Sequence, residues 1–234
     1  MSAAPTIVFI PGASSDEATW DAQKNALSAA HKTAVVNLVD LDDIGAMSDR
    51  VLASAQGHII LCGTSMGGYV ALDALKKAKD RIKKVIFCCT SARADTPERK
   101  RQRMIDVAAG EDGWRAARQD PTHYHVFLGP RAQKDAALIE VLRETSMRVG
   151  YAGFARHQKA CANRPDSRDF LPHIDIPALV ISGAEDTLIP PEMQQEMHSH
   201  LPQSAFVSIA GAGHIAHMEA PDTVTAAIAR FIDA

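Results

Sequence analysis

Six mostly apolar runs punctuate the chain, at 6–10, 34–39, 58–62, 84–89, 178–182 and 205–210. A strand covered on both faces needs no polar alternation, so runs such as Ile7-Val8-Phe9-Ile10 predict strands buried inside a sheet. Between them, apolar residues return every three or four positions at 16–30, 43–55, 66–79, 191–200 and 221–232, which predicts helices with one covered face. Ser14 and Glu17 stand at the spacing of a capping box before the first helix. Strands that alternate with helices predict an α/β fold with a mostly parallel six-stranded sheet wrapped on both faces. In such sheets chemical groups collect at the carboxyl ends of the strands.

The interval 92–168 breaks this rhythm. It holds helix-like pieces and turn signals at Gly110, Gly113, Gly129-Pro130 and Gly150, with no strand pattern. Its place between two sheet strands predicts a small helical cap over the site, with 1–91 and 169–234 as the core.

At 234 residues and 46% hydrophobic, the chain can bury the core of one such domain with its insertion. The net charge of −3 and the lack of a basic stripe argue against a nucleic-acid partner. Met1-Ser2-Ala3-Ala4-Pro5 has no basic leader character, and 7–10 is too short for a leader core or a membrane span, so a cytoplasmic protein without a membrane partner is expected. Cys62, Cys88, Cys89 and Cys161 lack paired spacing and read as small core hydrophobes, and a Cys88–Cys89 disulfide is not expected. No His-Glu-x-x-His pair occurs among the ten histidines, so no metal site is expected.

The most specific chemical signal is Gly63-Thr64-Ser65-Met66-Gly67, with Gly68 beyond it, at the junction between an apolar run and a helical one. A serine on so tight a strand-to-helix turn is lifted into the crevice, and the flanking positions must be nearly free of side chain. The amide of Met66, at a helix N-terminus, can donate to a developing negative charge. A serine hydroxyl also needs a base and a group that orients that base. After the run 178–182 comes Gly183-Ala184-Glu185-Asp186, and after the last run comes Gly211-Ala212-Gly213-His214. Glu185 competes with Asp186 for the acid's place and His217 with His214 for the base's. An acid three residues after the glycine favours Asp186, and the flanking glycines favour His214.

Taken in order, Ile10-Pro11-Gly12-Ala13 with Trp20 downstream, Gly63 to Gly68, Ser182 to Thr187, and Gly211 to His214 followed by Glu219-Ala220-Pro221 resemble the α/β-hydrolase-fold superfamily, small esterase and lactonase type. The resemblance spans nearly the whole chain. It implies Ser65 as nucleophile, His214 as general base and then acid, Asp186 as the residue orienting the imidazole, and the backbone amides of Ala13 and Met66 as an oxyanion hole. It also implies a small ester or lactone as substrate and no cofactor. Carbon–carbon bond hydrolysis, hydroxynitrile-lyase chemistry and a non-catalytic ligand receptor are the alternatives on the same scaffold. Two departures stand out: Pro11-Gly12 replaces the His-Gly of many relatives, and the chain starts at the third strand of the usual eight.

Trp20 reads as packing, Ser14 and Ser15 as substrate neighbours or, for one of them, as a helix cap, and His123-Tyr124-His125 first as half-buried packing and second as a substrate-binding cluster. The interval 92–168 carries fifteen Lys and Arg against ten Asp and Glu. Its run Arg99, Lys100, Arg101 and Arg103 reads first as the solvated face of a helix. Were part of that charge turned inward, a carboxylate-bearing substrate would be favoured.

Overall fold

A computed structural model describes residues 4–234. Residues 1–3, which belong to the expected core segment and to the leader reading, lie outside it. The sheet has six strands: β1 (Thr6–Ile10), β2 (Thr33–Val35), β3 (Ile59–Thr64), β4 (Ile82–Cys88), β5 (Ala178–Gly183) and β6 (Ser204–Ile209). They lie in the order β2-β1-β3-β4-β5-β6 and every neighbouring pair is parallel. The order reverses between β1 and β3, and such a switch point opens a crevice at the carboxyl ends of the two strands. Gly12-Ala13 and Ser65 follow those two ends.

Alternate residues of each strand point to opposite faces, and both faces are dry. Val8, Ile10, Leu61, Val85, Phe87 and Val180 pack on one side, under α2 (Ile44–Ala53), α3 (Met66–Ala78) and a later helix at Pro191–His200. Ile7, Phe9, Ile60, Cys62, Ile86, Cys88, Leu179 and Ile181 pack on the other, beneath α1 (Asp21–Leu27) and the C-terminal helix Pro221–Asp233. That double burial explains the unbroken apolar runs. All four cysteines are buried and free.

Three expectations change in detail. The second strand is shorter than 34–39 because the Asn37 side chain accepts the Val39 amide at 3.0 Å, turning the chain away from the edge. Val36 and Leu38 are still buried. The first helix begins as a 3₁₀ turn at Glu17–Trp20, whose cap is Asp16, accepting the Ala18 amide at 3.1 Å. Ser14, at φ 56°, does not serve as that cap.

Between β4 and β5 the chain has helices and connecting loops but no strand, with α4 (Pro97–Ala108), α5 (Gly110–Gln119) and α6 (Ala136–Asn163). Gly110 separates the first two, and Gly150 (φ 70°, ψ 170°) breaks the third. Gly113 lies inside α5 and not at a turn. After β5 come α7 (Pro191–His200), a short α8 (Ala216–Glu219) that the apolar pattern did not predict, and α9 (Pro221–Asp233).

Asp95 ties this helical segment together. Its buried carboxylate receives Arg103 Nε at 2.5 Å and Arg164 Nη1 at 2.7 Å, with Arg99 Nε at 3.5 Å. Burial pushes the Asp95 carboxyl up, and Arg103 and Arg164 outweigh it, so its pKa lies below the usual value. Asp95→Asn would leave two largely buried guanidinium groups without their counter-charge. Urea denaturation should show a loss of about 3 kcal/mol, and a loss near zero would show that the cluster is not a tie.

Candidate active site

β3 ends at Thr64 and α3 starts at Met66, so Ser65 alone turns the chain. Its backbone sits at φ 51°, ψ −116°, a conformation that costs a residue with a side chain about 1–3 kcal/mol. The Ser65 amide donates to Cys88 O at 3.0 Å. Its carbonyl accepts the Gly68 amide at 2.9 Å and the Thr90 hydroxyl at 2.7 Å. The turn is closed so tightly that a Cβ on Gly63 would lie 2.3 Å from Gly67 O, and one on Gly67 would lie 2.1 Å from Ile10 O.

The Ser65 hydroxyl lies 2.9 Å from His214 Nε2, and His214 Nδ1 lies 2.9 Å from Asp186 Oδ2. A carboxylate can only accept, which places the proton of the neutral ring on Nδ1 and leaves Nε2 to accept from the serine. The other Asp186 oxygen, Oδ1, accepts the amides of Leu188 and Ile189 at 3.0 and 2.9 Å. Turn-capping and contact with the imidazole are thus divided between the two oxygens of one buried carboxylate. Glu185, the competing acid, is exposed and uses its backbone amide to bind Ala212 O at 2.9 Å.

The loop bearing His214 is clamped from outside the sheet. Its own amide donates to Phe127 O at 2.8 Å. Glu219 accepts the Gly213 amide on one oxygen and the Gly129 amide on the other, each at 2.8 Å. Burial pushes the Glu219 carboxyl up, against the pull of the amides of Gly129, Gly213 and Ile215. The contact to Gly129, ninety positions away, has no sequence signal beyond the Glu219-Ala220-Pro221 that leads into the C-terminal helix.

His217, the competing imidazole, is buried beside Trp20 with ring centroids 4.3 Å apart, and neither ring nitrogen has a hydrogen-bond partner. Burial, reinforced by His214, drives its pKa down to about 3. Trp20 itself is packing, its indole donating to Ile10 O at 3.3 Å.

Ser65 and His214 open on a cavity of about 610 Å³, floored by Gly12, Ala13, Ser14 and Ser15 and roofed by the segment between β4 and β5. His123 and Tyr124 line it, and His125 does not. Among the described residues the Ala13 amide has no acceptor, and the Met66 amide is the first of α3, where no intrahelical acceptor exists. Among the described residues, no group of three His, Cys, Asp or Glu is placed to hold a metal, and no helix is long and apolar enough to cross a membrane.

The family model for the α/β-hydrolase fold matches residues 10–221. The chain belongs to the α/β-hydrolase-fold family. It is a hydrolase, and the relatives it resembles include ester-acting enzymes. One is the pimeloyl-acyl-carrier-protein methyl ester esterase of Neisseria meningitidis serogroup C, 27% identical over 185 residues, a match covering 76% of this chain and 72% of that protein. Among solved structures, a malate-bound thermophilic esterase from Thermogutta terrifontis is 30% identical with a TM-score of 0.88, covering 100% of this chain and 91% of that one. The enol-lactonase of Burkholderia xenovorans LB400 also gives a TM-score of 0.88 at 23% identity, covering 99% and 92% of the two chains, a likeness of fold.

The buried His217 makes the hydrolase's stability depend on pH. An unfolded imidazole takes up its proton near pH 6.5 and the folded one near 3. Stability is therefore complete above the first value and falls as pH drops between the two, by up to about 1.4 kcal/mol per unit from this group. Urea denaturation at pH 7 and pH 5 should show the parent losing about 2 kcal/mol more than His217→Phe. Equal losses would show that the ring is not buried neutral.

Proposed function

We propose that the chain is a serine hydrolase that cleaves a small carboxylic ester or lactone through an acyl-enzyme. The observation that carries this reading is the unbroken line Asp186, His214 and Ser65, with both hydrogen bonds at 2.9 Å, opening on a cavity of about 610 Å³. Ser65 Oγ attacks the carbonyl carbon while His214 Nε2 takes the hydroxyl proton, and the amides of Ala13 and Met66 hold the oxyanion. Asp186 fixes the ring tautomer and balances the imidazolium that forms. When the tetrahedral intermediate collapses, the carbon–oxygen bond to the leaving group breaks and His214 returns the proton to that oxygen. Water then repeats the sequence, giving its proton to His214 and its oxygen to the acyl carbon, and Ser65 leaves with the proton restored.

An ester or lactone fits this arrangement because an alkoxide or enolate asks less of the general acid than an amine does. Residues 92–168 serve in this reading as the lid that selects acyl and leaving groups, since they roof the cavity and hold the histidine loop through Phe127 and Gly129.

Turnover of short p-nitrophenyl esters separates an enzyme from a ligand-binding relative. Ser65→Ala should lower kcat at least about 10⁴-fold with unchanged circular dichroism, and a fluorophosphonate probe should mark Ser65 by mass spectrometry. Retained turnover, or an adduct elsewhere, would sink the assignment.

Asp186→Asn should present the wrong tautomer to Ser65 and cost up to about 10⁴-fold in kcat, by analogy with the serine-protease aspartate. Glu185→Gln is the control, expected to change little. The reverse ranking would make Glu185 the acid.

A further inference from the structure

The cavity contains a cation that no protein carboxylate answers. Arg118, on α5, is 6% exposed and lines the cavity. Its Nε donates to Ser146 Oγ at 2.7 Å and its Nη1 to Trp114 O at 3.1 Å, while its guanidinium carbon lies 4.6 Å from the Trp114 ring and 4.7 Å from that of Phe154. Among the described residues its Nη2 donates to no protein atom, and no Asp or Glu oxygen lies within 4.0 Å of the guanidinium. Asp106, the carboxylate that shares this wall, is exposed and accepts the Gln102 side chain at 2.8 Å.

The arginines expected from the charge run behave differently. Arg99 and Arg103 also line the cavity, but Asp95 meets both. Lys100 and Arg101 are exposed and do not line it. Burial lowers the Arg118 pKa to about 10, which leaves the group charged at neutral pH. A desolvated, unpaired charge is costly to keep in a folded protein, and a ligand that neutralises it recovers that cost.

Two further groups around the same cavity point the same way. The Trp114 indole nitrogen and the Tyr124 hydroxyl are buried and have no hydrogen-bond partner among the described residues. With Nη2 of Arg118 they make a set of donors lacking an acceptor, carrying one positive charge. A planar monoanion matches that set, whereas a phosphate dianion would leave one charge unmet.

We propose that Arg118, with the Trp114 indole N–H and the Tyr124 hydroxyl, forms a carboxylate subsite, so that the ester or lactone cleaved at Ser65 bears a second, uncleaved carboxylate. The inference rests on the hydrolase reading above and specifies its substrate class. The subsite binds and orients, and the bond-breaking steps are those already described.

The test uses monomethyl esters of linear dicarboxylic acids, from succinate to suberate, against methyl esters of the monocarboxylic acids of equal length. In the parent, kcat/KM for the best half-ester should exceed that of its neutral partner by about 10- to 100-fold, mainly through KM. Arg118→Met should collapse this ratio toward one, and Arg118→Lys should restore part of it. Free adipate should competitively inhibit turnover of a neutral ester where hexanoate does not, and Tyr124→Phe should weaken that inhibition. These last two measurements decide the matter if Arg118→Met fails to fold. A parent without half-ester preference or adipate inhibition, or a ratio that Arg118→Met leaves intact, overturns the subsite, while neutral-ester turnover lost in Ser65→Ala still upholds the hydrolase reading. If no ester is turned over, the hydrolase reading fails instead. Calorimetry of adipate with the parent and Arg118→Met then decides the subsite alone, binding lost in the variant supporting it and binding absent or unchanged overturning it.

Discussion

The carbonyl oxygen of Ile10 sits where any residue other than glycine at position 67 would have to place its Cβ. That contact brings the end of β1 and the start of α3 together, and the geometry of the site depends on it. Because the helix can press against β1, the turn at Ser65 lies beside Gly12-Ala13 at the switch point of the sheet. The strain of the Ser65 backbone is held by Cys88 O, by the Thr90 hydroxyl and by the Gly68 amide, drawn from β4, the loop after it and α3. The placement of the Ser65 hydroxyl is therefore a property of three adjoining elements and not of the five-residue motif alone.

The imidazole is placed by a different mechanism. A glycine-rich loop has no stiffness of its own, and His214 keeps its position because Asp186, Glu219 and Phe127 O grip the loop from three directions. Two of those grips lead to the helical segment between β4 and β5, since Glu219 also binds the Gly129 amide. The roof of the cavity and the imidazole of His214 are thus one mechanical unit. A change that loosens the segment at Phe127 to Gly129 reaches His214 without touching it.

Buried charge is treated in two ways within a few turns of helix. Asp95 gathers Arg103, Arg164 and, more distantly, Arg99, so that desolvation is offset by ion pairing and the cluster locks α4 to the end of α6. Arg118 is sheltered by aromatic rings and neutral oxygens, with no counter-charge. The first arrangement is complete within the protein. The second is complete only when something anionic enters the cavity.

The apolar runs and the glycines that follow three of them, around Ser65, before Asp186 and before His214, are enough to indicate a parallel α/β sheet and to bring those three residues forward, because backbone clearance and double burial leave local marks in composition. Edge positions were less legible: β2 stops early through one Asn37 side chain, and Asp16 displaces Ser14 as the helix cap, choices that turn on single hydrogen bonds. In the sequence Asp186 is favoured over Glu185 by its distance from Gly183 and His214 over His217 by flanking glycines, and only folding shows that one member of each pair reaches its partner while Glu185 faces solvent and His217 faces Trp20. The charge run at 99–103 was visible in the chain, but which arginine lacks a counter-charge was not. Ion pairing is a relation between residues far apart in sequence, Arg164 with Asp95 for example, and Arg118 differs from its neighbours through what the tertiary structure withholds from it.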